Sequence, residues 1–533
     1  MKLNKIEKLK LKLKPYEYYE RIERLDISSL SEEDRFYLKN FGIYNTKLTP
    51  DKFMLRIRIA AGRIDTESLE KILNEAKKHG AKIILTARSQ IELHDLSLES
   101  VIKIHKNLSS NSIISFGTLS DNVRNIVTDP LDGVGEESFF EVYPLVVKMQ
   151  ESVYKNLSFL GSIPRKFNTA ISANSKNIRS FFANDCYFAL AKKGERIGFN
   201  LYLGGKNLDM AKDADIFVER EDAVFLFEAV VRAYDKYGLR ENRTKARLYH
   251  LIEAIGMEGF KEKIKEFYKK DFQTKGELVS EKYESLNSDY FPLKNGTFAY
   301  RFKTFFGEIR EEIFRDILEF AKERDLEIRL GVDQNIYILG LKEKSFPIKS
   351  LSENQNILAC AGSRYCIFSL FDIKKEASKL VLDRINALDI KVGYSGCLKG
   401  CGRHILADIG FVGIRTRLFG KLEHGVRFYL GGLYTEGEAA ARLIYWAVPL
   451  RKLNEMIEVV LDEFENSPFR DFEEFSKEVL NSYSSEFLAF WFLYKMKSFE
   501  KVYLKKSEEE FLKEFGIEDL YEAIKEYERA VFG

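Results

Sequence analysis

The sequence predicts an α+β fold made by internal duplication, and three observations carry that reading. Arg56, Arg58, Gly62, Leu85 and Ile91 recur as Arg301, Lys303, Gly307, Leu330 and Ile336, always 245 positions later and without a gap. Ser172, Asp185 and Phe188 recur as Ser395, Asp408 and Phe411, always 223 positions later. The two repeated stretches alternate along the chain in the order A, B, A′, B′. A constant offset held over tens of residues is the signature of a duplicated structural unit.

Unit A begins at Phe53. FMLRIRIAAG alternates like a strand that ends in a turn. Asp65 and Thr66 suit a helix N-cap. Leu69, Ile72, Leu73 and Ala76 then follow at i, i+3, i+4 and i+7, which is one helix face. A further strand is expected within AKIILTARSQIELHDL, after Gly80. In A′ the same helix face returns as Phe314, Ile317, Leu318 and Ala321. Unit B contains Ile163 to Phe188 and then GFNLYLGG, which is echoed in B′ by GVRFYLGG. The first fifty residues or so read as a charged, partly helical wrap with no chemistry assigned. The last fifty, from about Ser482, read as a helical extension.

Copy B′ carries the chemistry. Four of the five cysteines, Cys360, Cys366, Cys397 and Cys401, lie there in two short glycine-containing loops, spaced C-x5-C and C-x3-C. Thiolates in such a group suit an iron–sulfur cluster. The spacing is not that of a zinc ribbon, and no haem-attachment C-x-x-C-H occurs. Copy B has Asn174 and Ile178 where B′ has Cys397 and Cys401, so only B′ offers cluster ligands.

Composition excludes several classes. With 84 basic and 82 acidic residues the net charge is +2, which gives no field for nucleic acid. No run of 18 apolar residues appears, so no membrane span is expected. Five cysteines in 533 residues argue against a disulfide framework, and the N-terminus has no secretory pattern. A cytoplasmic, monomeric protein is the expectation. No G-x-G-x-x-G follows a strand, so electrons for any redox chemistry would come from another protein.

CAGSRYC, GYSGCLKGCGRH and ADIGFVG resemble the C-terminal signature of the sirohaem and 4Fe–4S nitrite and sulfite reductase family. The resemblance covers roughly residues 30–475. It implies that family's pseudo-twofold fold, with three domains of ferredoxin-like and larger α/β sandwich type. Residues 1–125 with 285–350 would be the duplicated ferredoxin-like half-domains. Residues 126–284 would be the first α/β domain, without a cluster, and 351–480 the second, with it; 481–533 would be the extension. The four cysteines would hold the cluster, with Cys401 bridging to sirohaem. Arg56, Arg124 and Lys166 would line the substrate side, with Lys166 or a water it orders as proton donor. Arg88 and His94 would meet the sirohaem carboxylates, with Gln334 and Asn335 as a Gln-Asn pair near the cofactor. Arg58 and Arg165 belong to the same basic set. The implied reaction is six-electron reduction of a small anion, with ferredoxin or another external donor.

The choice of anion rests on few positions. Asn168 follows the PRKF motif where nitrite reductases have asparagine and sulfite reductases a second lysine. A neutral amide suits a monoanion better than a dianion would require. His94 points the other way, toward sulfite. Nitrite is the favoured substrate, with sulfite, or both, as the alternative. One departure from the family is Leu398-Lys399-Gly400, which stands where Pro-Asn-Ser is usual. Lys399, Arg403, Arg415, Arg417 and Lys421 could receive an acidic donor.

Overall fold

The computed structural model describes residues 3–46, 48–156, 159–283, 286–417, 421–496, 503–504, 507–519 and 521–522. The chain divides into two compact units. The first is Met1–Lys206 with Ala211–Glu284 and Ser288–Ser352; the second is Asn207–Met210 with Ser285–Asn287 and Glu353–Gly533.

Both A copies fold in the first unit, each as an antiparallel sheet with a helix. One sheet has the strand order Ile43–Thr46, Thr49–Ile57, Ile91–Leu96, Lys82–Leu85, Glu308–Ile309. The other runs Tyr290–Pro292, Phe298–Phe302, Ile336–Leu341, Glu327–Leu330, Arg63–Ile64. The 245-residue offset holds at the level of register. Arg56 pairs with Glu92 and Ile57 with Ile91, and Arg301 pairs with Tyr337 and Phe302 with Ile336.

The fifth strands are exchanged. Arg63–Ile64 of the first copy pairs with Glu327–Leu330 of the second, and Glu308–Ile309 of the second pairs with Lys82–Leu85 of the first. The exchange is made at tight turns that also repeat. Gly62 has φ +76° and a Cβ there would lie 2.2 Å from the Leu330 carbonyl oxygen. Gly307 has φ +89° and would meet the Leu85 carbonyl oxygen at 2.6 Å. Only glycine fits such a left-handed, crowded position.

Helix Thr66–His79 is capped by Asp65, whose carboxylate accepts from Ser68 N–H at 2.7 Å, and it buries Leu69, Ile72, Leu73 and Ala76. Helix Glu311–Glu323 buries Phe314, Ile317, Leu318 and Ala321 and packs against it. One apolar core runs through both copies. The stretch expected to hold one strand after Gly80 holds two. Thr86–Gln90 turns back on itself, with Ser89 at φ +52° and Thr86 N–H donating to Gln90 O at 3.0 Å.

Copy B lies in the first unit too. Its sheet runs Glu277–Leu278, Cys186–Lys193, Arg196–Leu203, Lys212–Glu219, with Thr169–Ser172 parallel to Cys186–Lys193. Helices Ala223–Tyr237 and Leu248–Lys265 cover its core. Copy B′ is the sheet of the second unit, in the order Ile357–Ala359, Val392–Ser395, Ile409–Thr416, Glu423–Leu430, Arg442–Pro449. Thr169 pairs with Cys186 in B, and Val392 with Ile409 in B′, which is the 223-residue offset again. A buried carboxylate ties the same point in each copy. Asn168 N–H donates to Asp185 and Lys391 N–H to Asp408, both at 2.8 Å.

Beyond the sheet, helices Leu453–Glu465, Phe472–Glu478, Ser485–Lys495 and Glu508–Phe515 belong to the second unit. Buried Glu463 fastens the extension. It accepts from Trp491 Nε1 at 2.7 Å, Lys495 Nζ at 2.9 Å and Leu504 N–H at 3.0 Å. No helix among the described residues is long and apolar enough to cross a membrane.

Candidate functional site

The first unit gathers cations around a segment pairing that neither strand pattern nor helix period announces. The PRKF stretch lies beside DNVR: Phe167 N–H donates to Asn122 O at 3.0 Å and Arg124 N–H to Phe167 O at 2.8 Å. Arg124 therefore sits on the same ribbon as Arg165, Lys166 and Asn168. Arg124 donates to the Thr118 and Ser120 carbonyls, both at 2.6 Å, and Thr118 Oγ1 donates to the Arg56 carbonyl at 3.2 Å. Burial first, then the nearby charges of Arg56, Arg165 and Arg88, push the Arg124 guanidinium well below the ordinary arginine range; Asp121 opposes them. Its Nε is buried and has no hydrogen-bond partner among the described residues.

Two carboxylates hold this set in place. Asp121, fully buried, accepts from Arg165 at 3.0 Å, from Arg243 at 2.6 and 2.9 Å, and faces Lys10 Nζ at 3.0 Å. Burial alone would raise its carboxyl, but Lys10, Arg243 and Arg165 outweigh that and hold it far below the usual range. Glu92 accepts from Arg56 Nε at 2.7 Å and lies 2.8 Å from His94 Nε2. Burial again works against the charge, yet Arg56 and then His94 hold the Glu92 carboxyl at about 2. Both acids are saturated by cations, so the ensemble around Arg124 has positive charge left over. Such a surplus in a partly desolvated place favours an anion.

The other expected residues are spread around this set. Arg88 donates to Asn184 Oδ1 at 2.9 Å and to the Thr169 carbonyl at 3.1 Å, and also reaches the Asn125 carbonyl. Lys166 and Asn168 are half-buried, and Asn168 uses its backbone N–H on Asp185. Arg58 is buried and braces loops: it donates to Gln150 at 3.1 Å and to the Gly117 and Val123 carbonyls at 3.0 and 2.8 Å. Gln334 Nε2 donates to the Leu85 carbonyl at 3.2 Å, and Asn335 Nδ2 to Asp333 at 2.8 Å. Sequence reasoning missed Lys10, Arg243 and Asp121 as a set. Lys10 came from a segment read as a featureless wrap, and Arg243 lies 122 positions from its carboxylate. No local pattern marks such a pairing.

In the second unit the four thiols converge. Burial first, then the charge of Cys401, raises the thiols of Cys360, Cys366 and Cys397, and Cys360 is pushed up to about 12. The Gly396 N–H bond to Cys360 Sγ and the Lys399–Phe368 contact bring the two cysteine loops together. Backbone N–H groups point at the sulfurs: Gly396 donates to Cys360 Sγ at 3.1 Å, and the N–H groups of Gly362, Phe368 and Lys399 face Cys360, Cys366 and Cys397. A Cβ on Gly396 would lie 2.3 Å from Ser369 Oγ and 3.2 Å from Cys360 Sγ, so the approach needs glycine. Among the described residues no three His, Cys, Asp or Glu side chains could hold a single metal ion. Four thiols with N–H donors aimed at them fit a multi-iron cluster with one thiolate per iron.

These two sites and the duplicated frame fit the nitrite and sulfite reductase family, and two models of that family match the chain. The family model for the nitrite and sulphite reductase 4Fe-4S domain matches residues 119–272, and that for the nitrite/sulfite reductase ferredoxin-like half domain matches residues 45–111. The first match falls on copy B, which lacks the thiols; the four cysteines lie outside both segments. The chain is 28% identical over 468 residues to a ferredoxin–nitrite reductase of Synechococcus elongatus, covering 81% of this chain and 90% of that one. It is 28% identical over 497 residues to that of Leptolyngbya laminosa, covering 86% and 97%. An assimilatory ferredoxin-dependent nitrite reductase of Haloferax mediterranei is 24% identical over 491 residues, covering 81% and 83%. The NirA protein of Mycobacterium tuberculosis has the same fold, with a TM-score of 0.81 at 22% identity over 91% of this chain and 97% of that one. An iron–sulfur cluster is the cofactor class that the family and the four thiols jointly support.

Proposed function

We propose that the chain is a nitrite reductase that takes electrons from a ferredoxin-type donor and forms ammonium, with Cys360, Cys366, Cys397 and Cys401 holding a 4Fe–4S cluster and the cations of the first unit serving sirohaem and substrate. The balanced reaction is one nitrite, six electrons and eight protons to one ammonium and two waters. The observation that carries the reading is the four-thiol cradle of B′, where B has Asn174 and Ile178 in place of Cys397 and Cys401. The relatives' names supply the anion, and the positive surplus around Arg124 supports an anionic ligand.

When bound, sirohaem and the cluster would supply the electrons one at a time. The residues of this chain do the rest. Arg56 and Arg124 hold the anion's oxygens by charge-assisted hydrogen bonds. Lys166 Nζ delivers protons to an oxygen leaving as water, because arginine is a poor acid at neutral pH. Asn168 leaves the rim one cation short of what a dianion would favour. Arg88 and His94 would meet carboxylates of the macrocycle, with Arg165, Gln334 and Asn335 near it, and Arg58 keeps the Gly117–Val123 loop in position. Asp121 and Glu92 fix the arginines without neutralising them all. Exposed Arg415, Arg417, Lys399 and Lys421, all in the unit with the thiols, are the basic surface for an acidic donor.

Anaerobic dye-linked turnover of the holoprotein with nitrite and with sulfite, compared as kcat/KM, tests the reading. A nitrite preference supports it. A sulfite preference overturns the role given to Asn168. Protein that holds both cofactors and turns over neither anion overturns the enzymatic reading altogether.

A further inference from the structure

Lys399 lies within the second ligand loop, between Cys397 and Cys401, whereas Arg364 in the first loop is paired with Asp372 at 2.7 Å. The Lys399 ammonium stands over the Phe368 ring, 2.8 Å from the centroid. Phe368 lies two residues beyond Cys366, so this cation–π contact clasps one ligand loop to the other. The same residue is bound to the site by its backbone, since its N–H faces the Cys397 thiol. Gly400, next in sequence, has φ +65°, and a Cβ there would lie 2.8 Å from Asn207 Cβ. That turn fixes where the Lys399 side chain leaves the loop.

We propose that Lys399 sets the redox potential of the cluster held by these four cysteines, raising it by a positive charge clasped against two of the ligand loops. The inference rests on the cluster assignment above and goes beyond it. One-electron reduction adds a negative charge to a centre already surrounded by four thiolates. A cation held against those ligand loops stabilises the reduced form more than the oxidised form, and so raises the potential. The ring of Phe368 lets the exposed ammonium act at a defined place, where a free lysine would spend its charge on solvent. A higher potential makes the cluster easier to reduce by an external one-electron donor.

The test is a potentiometric titration of the anaerobically purified holoprotein, followed by the paramagnetic resonance signal of the reduced cluster, beside iron and acid-labile sulfide analysis. Lys399→Asn is expected to keep its iron and sulfide and to lower the midpoint enough for a tenfold drop in the reduced-to-oxidised ratio at fixed potential, about 59 mV for one electron. Lys399→Arg, which keeps the charge, is expected to stay within about twofold of the parent ratio. The difference between parent and Lys399→Asn should shrink as salt is raised, because the ammonium is exposed. A Lys399→Asn midpoint equal to the parent's, at full iron and sulfide, overturns the inference alone. A parent protein without iron and sulfide overturns the cluster assignment and this inference with it.

Discussion

Replacing Glu92 with glutamine removes the carboxylate that Arg56 and His94 share, and the structure sets the size of the effect. Burial would raise this carboxyl; Arg56 and His94 reverse that and hold it at about 2, against an ordinary 4.5. At neutral pH the difference corresponds to roughly 3 kcal/mol of stability present only with the carboxylate. The sign follows from the depressed value: the contribution is complete above about pH 4.5 and is lost as pH falls through about 2. The advantage of the parent over Glu92→Gln should be roughly 3 kcal/mol at pH 7 and decline to roughly 2 near pH 3.5. With about 2.1 cal/mol/K of unfolding entropy per residue over a unit of roughly 350 residues, that is a fall of about 4 °C in Tm at pH 7. Scanning calorimetry at both pH values measures it. A variant within 1 °C of the parent at pH 7, or a gap that widens toward acid, would refute the reasoning. It would mean that the amide replaces the ion pair without loss.

Other consequences follow from the same geometry. Lys166→Gln should lower nitrite kcat by ~10²-fold or more while iron, sulfide and sirohaem content are kept, because a general acid is lost; single-turnover kinetics check this. Gly62→Ala combines φ +76° with a 2.2 Å approach to the Leu330 carbonyl and should leave little folded protein, whereas Gly80→Ala, at φ +62° with nothing within 4 Å, should cost only about 1 kcal/mol. Soluble yield and Tm compare the two. Glu463→Leu removes the buried acceptor of Trp491, Lys495 and Leu504 and strands the Lys495 charge, at a cost of about 3–5 kcal/mol. Limited proteolysis should then cut the extension at protease levels that spare the parent.

The frame was legible because its signals are periodic. A constant offset needs no knowledge of contacts, and it reappears as the same strand registers and the same left-handed turns. The helix faces Leu69/Ile72/Leu73/Ala76 and Phe314/Ile317/Leu318/Ala321 were readable for the same reason. The strand exchange was not, since two-residue strands such as Arg63–Ile64 carry no period to read. The turn within TARSQ hid among residues that could also extend a strand. At the site, residue types were visible but not their partners. Arg58 looked like its neighbour Arg56, two positions away in the same LRIRI stretch. Yet Arg58 is turned to loop carbonyls and Arg56 to Glu92. The saturation of Asp121 by three cations depends on segments far apart in sequence, which only the folded chain brings together.

The duplication raises the question of why one copy has thiols and the other has not, and the answer involves more than the cysteines. Copies B and B′ share the parallel pairing, the offset and the buried carboxylate, so the scaffold is common to both. Yet B′ has Gly396, Gly400, Gly402 and Gly410 where B has Ala173, Asn177, Arg179 and Tyr187. Each of these glycines is tied to the ligand loop. Gly396 approaches Cys360 Sγ and Ser369; Gly400 takes φ +65°; Gly402 and Gly410 would place a Cβ 2.2 and 2.1 Å from the carbonyl oxygens of Tyr394 and His404. The loop that presents Cys397 and Cys401 is therefore wound more tightly than a chain with side chains at those places can be. Asn174→Cys with Ile178→Cys should accordingly bind no additional iron, even under reconstitution with excess iron and sulfide. A gain of iron in that variant would show that ligand identity alone separates the copies. No gain, with the parent cluster intact, is the outcome expected of a copy that lacks both these glycines and any cysteine matching Cys360 and Cys366.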